Sequence, residues 1–489
     1  MQLHELLADV DVLDVHGDPS VDVQALAYDS HRVDRGACFA CIVGANHDGH
    51  DYAPAAVRSG AVALLVERDV GLTVPEARVT DVRRALGPAA ARLHGHPSRA
   101  LRCVGVTGTN GKTTTTHLFA AIAAAAGENA GIVGTVGAQT GGPPLPLEHT
   151  TPEAPDLQAL LARMRDDGVQ TVAMEVSSHA LAQHRVDGTW FRVVCFTNLT
   201  RDHLDYHGSL DEYFEAKARL FDPARAAAAA VNLDDERGAE LARRCRERGL
   251  PVTTYALDAD ADVVAADARV DDRGGHFAMT TRDGPRHPMH TPLLGRLNLA
   301  NALAAAVTAQ LAGFDADAIA RGLAAVSTIP GRLEPVDAGQ PFTVLVDYAH
   351  TPDALGAALA AARQLAGRNR VIAVFGAGGE RDPAKRPLMG RVAADAADLV
   401  VITTDNPRSE DPAAIAAAVR AGAAAGAAEV RLEADRRSAI RDALAAARPG
   451  DVLVVAGKGH ETDQRFRDRV VPFDDRVVTR EELGGRPWS

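Results

Sequence analysis

Gly108-Thr109-Asn110-Gly111-Lys112-Thr113-Thr114 joins the strand-like run Leu101-Arg102-Cys103-Val104-Gly105-Val106 to a helical segment from Thr114 to Ala126. The order of strand, glycine-rich turn and helix decides what the turn can do. Glycines let backbone N–H groups close around phosphate oxygens, and the helix N-terminus adds positive potential. Lys112 is then placed to reach the outer phosphates of a nucleotide, and Thr113 to offer its hydroxyl to Mg²⁺. The stricter pattern G-x-x-x-x-G-K-[ST] is not met, because position 106 is valine. ATP on a shortened phosphate loop is the expectation.

Outward from this loop, apolar runs alternate with helical segments. Thr171-Val172-Ala173-Met174-Glu175-Val176 and Val193-Val194-Cys195-Phe196-Thr197 read as buried strands of the same unit, which ends near Thr328-Ile329-Pro330-Gly331-Arg332. A later unit repeats the pattern at Thr343–Asp347, Val371–Phe375, Leu399–Thr403 and Val452–Ala456, each run leading into a polar cluster. Upstream, residues 1–97 mix short apolar runs such as Ala61–Val66 with the turn-rich 44–49, and His94–Ser98 reads as a linker. The fold expected is α/β in three domains: an N-terminal unit (1–97), a central P-loop-type ATPase unit with a mostly parallel sheet (98–330), and a Rossmann-like doubly wound unit (331–489). The alanine-rich stretches 225–230 and 414–428 are expected to be helix filler.

Composition narrows the class. Apolar residues make up 46% and charged residues 24% of 489 residues, the balance of a globular protein. A formal charge of −13 argues against nucleic acid as partner. The start of the sequence shows no secretory signal and no run suits a membrane span, so a cytoplasmic location is expected. Five scattered cysteines suggest free thiols, and the lone pair Cys38 and Cys41 has no second ligand pair for zinc. Only four of the 52 basic residues are lysines: Lys112, Lys217, Lys385 and Lys458. In a chain that uses arginine almost everywhere, these mark positions where a compact ammonium or a deprotonatable amine is required.

The Gly-Thr-Asn-Gly-Lys-Thr loop resembles that of Mur ligases and folylpolyglutamate synthetases. Thr150-Thr151-Pro152, Met174–Leu181, Asn198–His207, Asp347–Pro352 and Asp405–Arg408 follow in the order found in the diaminopimelate-adding Mur ligases. That resemblance spans essentially the whole chain and implies roles residue by residue. Gly108, Thr109, Asn110, Gly111, Lys112, Thr113 and Thr114 would hold ATP, with Asn301, Arg332 and Asp347 from later segments. Glu175 and Thr113 would hold Mg²⁺, with His203 near a second ion. Lys217 would carry a CO₂-derived carbamate, turning an ammonium into an anionic metal ligand, and Lys112, Lys217, Glu175 and His203 form the catalytic set. Ser30 and His47 would meet the nucleotide end of a UDP-MurNAc-dipeptide, and Thr150, Thr151, Ser177, Gln183 and Arg185 its sugar and peptide. Arg381, Asp405, Asn406, Pro407, Arg408, Gly457 and Glu461 would take meso-diaminopimelate, Arg408 reading the distal carboxylate and Glu461 the distal ammonium. Two departures, His31 after Ser30 and His149 before the threonine pair, touch the sugar-nucleotide side.

The implied activity is ATP-dependent amide formation on UDP-MurNAc-L-Ala-D-Glu through an acyl phosphate, by a monomer that closes its last domain onto the ATP unit. Two other enzymes share the loop chemistry, a folylpolyglutamate synthetase and a lysine-adding relative. A nucleotide-binding regulator without turnover is the alternative from another class.

Overall fold

Buried runs rich in Val, Ile and Ala pair into three large sheets in the computed structural model, which describes residues 1–44, 47–142, 144–282 and 284–485. Ala45 and Asn46, in the turn-rich 44–49, lie outside the described residues. The first sheet runs Val12–His16, Glu76–Val79, Ala63–Val66, Ala37–Ala40, Ala25–Ala27, parallel except for the first pair. Cys38 and Cys41 are buried here, and burial pushes both thiols up to about 12. All five cysteines are free.

The second sheet is built around Arg102–Thr107. Its parallel strands run, in spatial order, Val263–Asp271, Val252–Ala256, Ala229–Asn232, Val193–Phe196, Arg102–Thr107, Thr171–Glu175 and Ala130–Gly134. Antiparallel strands extend both edges. Strands buried on both faces need no alternation of polar residues. The helix Lys112–Ala125 covers one face together with Arg296–Ala312 and Ala316–Ala325. A Cβ on Gly322 would come within 2.3 Å of Ile122 Cα, so glycine is what lets two of these helices touch.

The third sheet orders Glu334–Pro335, Thr343–Asp347, Val452–Ala456, Val371–Phe375, Leu399–Ile402 and Glu429–Leu432, parallel after the first pair. All its parallel strands end at one edge, which gathers the polar clusters that follow them.

Two sequence expectations need correction. Residues 225–230 are a turn leading into the strand Ala229–Asn232, not helix. That strand is sandwiched between two parallel neighbours, where alanine fits on both faces, and alanine carries no periodicity that separates strand from helix. The other stretch is helical only from Pro412 to Ala423. The expected linker His94–Ser98 is also packed: Ser98 is buried and its hydroxyl accepts from Trp190 N at 3.0 Å. Just before it, Gly87 and Gly188 pass so closely that a Cβ on either would overlap the other's neighbourhood at 2.2–2.4 Å. Among the described residues no helix is long and apolar enough to cross a membrane.

Candidate active site

The loop after Arg102–Thr107 turns on two glycines. Gly108 has φ +152° and Gly111 φ +89°, and a Cβ on them would lie 1.9 Å from Thr197 Oγ1 and 2.2 Å from Asn301 Oδ1. Asn110 N donates to Asn198 Oδ1 at 2.8 Å, so the Asn198–His207 segment braces the loop from the next strand. Asn301 is buried and donates to Asn298 Oδ1 at 3.2 Å, which fixes the paired asparagines into one unit. Beside this unit a cavity of about 230 Å³ is lined by Asn110, Asn198, Tyr255, Leu297 and Asn301.

Two lysines converge on one carbonyl. Lys112 Nζ donates to Gly108 O at 2.9 Å, and Lys217 Nζ to the same oxygen at 2.8 Å. Lys217 reaches it from the helix Leu210–Ala218 and is 1% exposed. Burial, reinforced by Lys112, holds its pKa well below the lysine range. Its ammonium also stands 4.2 Å over the Tyr213 ring.

Glu175 ends its strand buried at 1% exposure and accepts from Thr135 N and Thr135 Oγ1, both at 2.9 Å. Thr113 is buried as well, and its hydroxyl accepts from Arg332 Nη2 at 2.9 Å, a contact from the third unit. His203 sits at φ +54° and 3.3 Å from Asp202, and burial pushes it down to about 3. It packs edge-on to His179, which with Tyr206, His207 and Tyr213 forms a ring cluster behind the loop. Imidazoles kept neutral this way can accept a metal ion or a proton.

Asp202 was part of a motif but not singled out from the sequence, and it is a hub. It lies 3.6 Å from His350 and 3.9 Å from Lys385, both on the third unit, besides His203. Burial alone would raise its carboxyl, yet the hydrogen bond from His350, with Lys385 beside it, holds it far below the usual range. Arg201 Nε pairs with Asp382 at 2.9 Å alongside. Asp347, expected among the ATP-holding residues, accepts from Leu333 N and Ala349 N at 2.7 and 2.8 Å, and burial raises its pKa. It anchors the backbone next to Arg332, whose guanidinium covers the Tyr348 ring at 4.8 Å.

On the third unit Arg408 takes φ +52°, a left-handed conformation that holds a non-glycine only where surroundings demand it. Its Nη1 donates to Gly379 O at 2.6 Å, and burial together with Arg381 lowers its pKa. Gly457 (φ +113°) lets Asp405 Oδ2 come within 2.5 Å of where a Cβ would be. Asn406 Nδ2 donates to Glu461 Oε2 at 2.7 Å. Beneath both loops lies a fully buried ion pair, Arg436 and Asp475 at 2.7 Å, with Arg436 Nη2 donating to Ala456 O at 2.9 Å. Nothing in the sequence singled out that pair.

Thr150, Thr151, Ser177, Gln183 and Arg185 meet beside Glu175. Thr151 Oγ1 donates to Glu175 O at 2.8 Å, Thr150 lies 3.2 Å from Thr135, and Ser177 caps the helix Ser178–Ala182. Arg185 donates to Gln183 Oε1 and to Thr151 O at 3.1 Å, and pairs with Glu153 at 3.0 Å. Ser30 and His47 lie apart, on turns of the first unit, and His47 is exposed. Tyr28 and Arg32, flanking Ser30, tie that turn to Asp156 of the helix that Glu153 begins.

A phosphate loop, a lysine pair on one loop carbonyl and a basic pocket docked across from them define an ATP-dependent ligase of carboxylates with amines. The chain belongs to the Mur ligase family: residues 22–94 match the Mur ligase catalytic domain, 106–309 the middle domain and 331–459 the glutamate ligase domain. It is similar to the UDP-N-acetylmuramoyl-L-alanyl-D-glutamate–2,6-diaminopimelate ligase of Geobacillus thermodenitrificans, 45% identical over 98% of this chain and 99% of that one. The enzyme of the same name from Streptomyces coelicolor is 44% identical over 95% and 93%. A solved structure bearing that name superposes with a TM-score of 0.70 at 32% identity, covering 99% of both chains. Folylpolyglutamate synthase from Mycobacterium tuberculosis shares the fold at 21% identity and a TM-score of 0.63, over 83% of this chain.

Proposed function

We propose that this chain joins meso-2,6-diaminopimelate to the D-glutamyl residue of UDP-N-acetylmuramoyl-L-alanyl-D-glutamate at the expense of ATP, a step in making peptidoglycan precursor. The observation that carries this reading is the docking of the Arg381, Arg408 and Glu461 pocket across from the phosphate loop, through Arg332 on Thr113 and the contacts of Asp202. Two guanidiniums and one carboxylate match an amino-acid centre bearing both charges, which lysine's side chain lacks. In this reading residues 1–97 take the UDP end, 98–330 hold ATP, and 331–489 present the amino acid, in a cytoplasmic monomer.

Lys112 and the loop amides hold the outer phosphates of ATP. The γ-carboxylate of the D-glutamyl residue attacks the γ-phosphorus, the bond to the β-phosphate oxygen breaks, and ADP leaves an acyl phosphate. The amine at diaminopimelate's L-centre adds to the acyl carbon and loses a proton, and the C–O bond to phosphate breaks to give the amide. Thr151, Ser177 and Arg185 orient the acceptor carboxylate beside Glu175. The donor set fits Mg²⁺, since Thr113 and Glu175 offer oxygen and His203 a neutral nitrogen. When bound, the ion offsets charge gathering on the phosphoryl oxygens. Lys217, desolvated and therefore readily neutral, would add to CO₂ with loss of a proton, and the resulting anionic carbamate would supply oxygen ligands for the ion.

The test is phosphate release from ATP by the purified protein with Mg²⁺ and UDP-MurNAc-L-Ala-D-Glu, comparing meso-diaminopimelate with L-lysine. Release with diaminopimelate, and a product heavier by that residue, is the expected result. Preference for lysine would overturn the specificity, and no release with either would return the reading to a folate-type or non-catalytic protein.

A further inference from the structure

Lys458 is 0% exposed, one of four lysines in a chain that otherwise uses arginine, and it touches no part of the ATP loop. Its Nζ donates to Glu461 Oε2 at 2.9 Å and to Asn406 Oδ1 at 3.2 Å. Asn406 Nδ2 donates to the same Oε2 at 2.7 Å, and Asn406 Oδ1 also accepts from Arg465 N at 3.0 Å. The consequence is directional. Two inner donors saturate one oxygen of Glu461, while Oε1 has no hydrogen-bond partner among the described residues and the side chain is 28% exposed. Glu461 is therefore held with one oxygen turned outward, and the charge on the other is matched from below. Arginine would not serve, because a planar fork cannot place one donor between these two acceptors in so small a volume.

We infer that Lys458 is a specificity-determining positioning residue: it aims the free oxygen of Glu461 at the distal ammonium of the incoming amino acid without touching the substrate itself. This rests on the proposed function and sharpens it, since it divides recognition of the distal centre between two devices. Arg408, whose remaining N–H groups have no acceptor among the described residues, reads the carboxylate. The set of Lys458, Asn406 and Glu461 reads the ammonium. An aimed hydrogen bond between charged groups is lost when the acceptor swings away, whereas an undirected surface charge contributes little.

The experiment compares kcat/KM for meso-diaminopimelate with that for L-2-aminopimelate, which keeps both carboxylates and lacks only the distal ammonium. The wild-type ratio defines the discrimination, and a ratio is blind to how much of a variant has folded. Lys458→Met should lower that ratio about tenfold or more, with KM for ATP within about twofold of wild type. Equal losses on both amino acids would overturn the inference and leave Lys458 a packing residue. Because a lone Glu461 charge could unfold the loop, the second arm uses Glu461→Gln with and without Lys458→Met, which removes both charges together. Once Glu461 is neutral, removing Lys458 should leave the ratio unchanged, and a further fall would overturn the role assigned through Glu461. Failure of the wild-type enzyme to use diaminopimelate at all would strike the proposed function instead, before any variant is compared.

Discussion

Lys217 concentrates the chemistry at the scale of single residues. A fully buried amine whose nearest cation is Lys112 has every reason to shed its proton, and shedding it is the condition for capturing CO₂. Activity should therefore fall in CO₂-free buffer and return on adding bicarbonate, measured by phosphate release. Lys217→Arg, which cannot form a carbamate, should lose about a hundredfold or more in kcat and show no bicarbonate response. The histidines supply a pH prediction of known sign. His179 and His207 are pushed down to about 4 and His460 to about 3, all by burial first. The unfolded chain then binds more protons than the folded one below about pH 6.5, so stability is lost as pH falls from there toward 4. Urea unfolding across that window should show this slope, and His460→Phe should flatten it by about one proton. The sequence singled out Lys112, Glu175 and Arg408 because the proposed chemistry asks for one residue type at each, and the structure sets Lys112 on the loop, Glu175 at the end of its strand and Arg408 on the third unit. Asp202 and the Arg436–Asp475 pair were not singled out, because His350 and Lys385 lie more than a hundred residues from Asp202 and Asp475 opens a separate helix packed beside that of Arg436, and no local pattern records such partners.

Among elements, the phosphate loop is the most constrained. Gly111 combines φ +89° with a Cβ position 2.2 Å from the buried Asn301 side chain, so alanine there would strain the backbone and displace a residue that lines the adjoining cavity. Gly111→Ala should cost roughly a hundredfold in kcat/KM for ATP while lowering the melting temperature only a few degrees; an ATP-binding constant equal to wild type would refute the argument. The same element shows why the fold was legible. Arg102–Thr107, Thr171–Glu175 and Val193–Phe196 are buried on both faces, and such strands announce themselves as unbroken apolar runs between turns. Ala229–Asn232 is equally buried but its start was expected as helix, since the alanine run 226–230 fits either period and only its neighbours in the sheet choose. The stretch His94–Ser98 looked like a linker by composition, and packing against Trp190 made it part of the body.

For the whole molecule, function depends on how the third unit sits on the second. The two meet where the helices Arg296–Ala312 and Pro352–Ala366 pack together, and through polar contacts that include Arg332 on Thr113, Asp202 with His350 and Lys385, and Arg201 with Asp382. These contacts are unequal. Arg201 is 39% exposed, and a pair in that setting contributes on the order of 1 kcal/mol or less. Asp202 is 6% exposed and faces the buried Lys385 as well as His350 from the third unit, so neutralising it leaves the Lys385 charge unmatched and should open the arrangement. Asp202→Asn should accordingly enlarge the radius of gyration in solution scattering and lower kcat tenfold or more. Asp382→Asn should do little to the shape and cost less than tenfold. Saturating ATP analogue and UDP-linked substrate should draw the Asp202→Asn protein back toward the wild-type radius, because ligands bound between the units add contacts that only the closed form makes. An Asp202→Asn variant as compact as wild type without ligands, yet equally slow, would move Asp202 from the docking of units to the chemistry at His203.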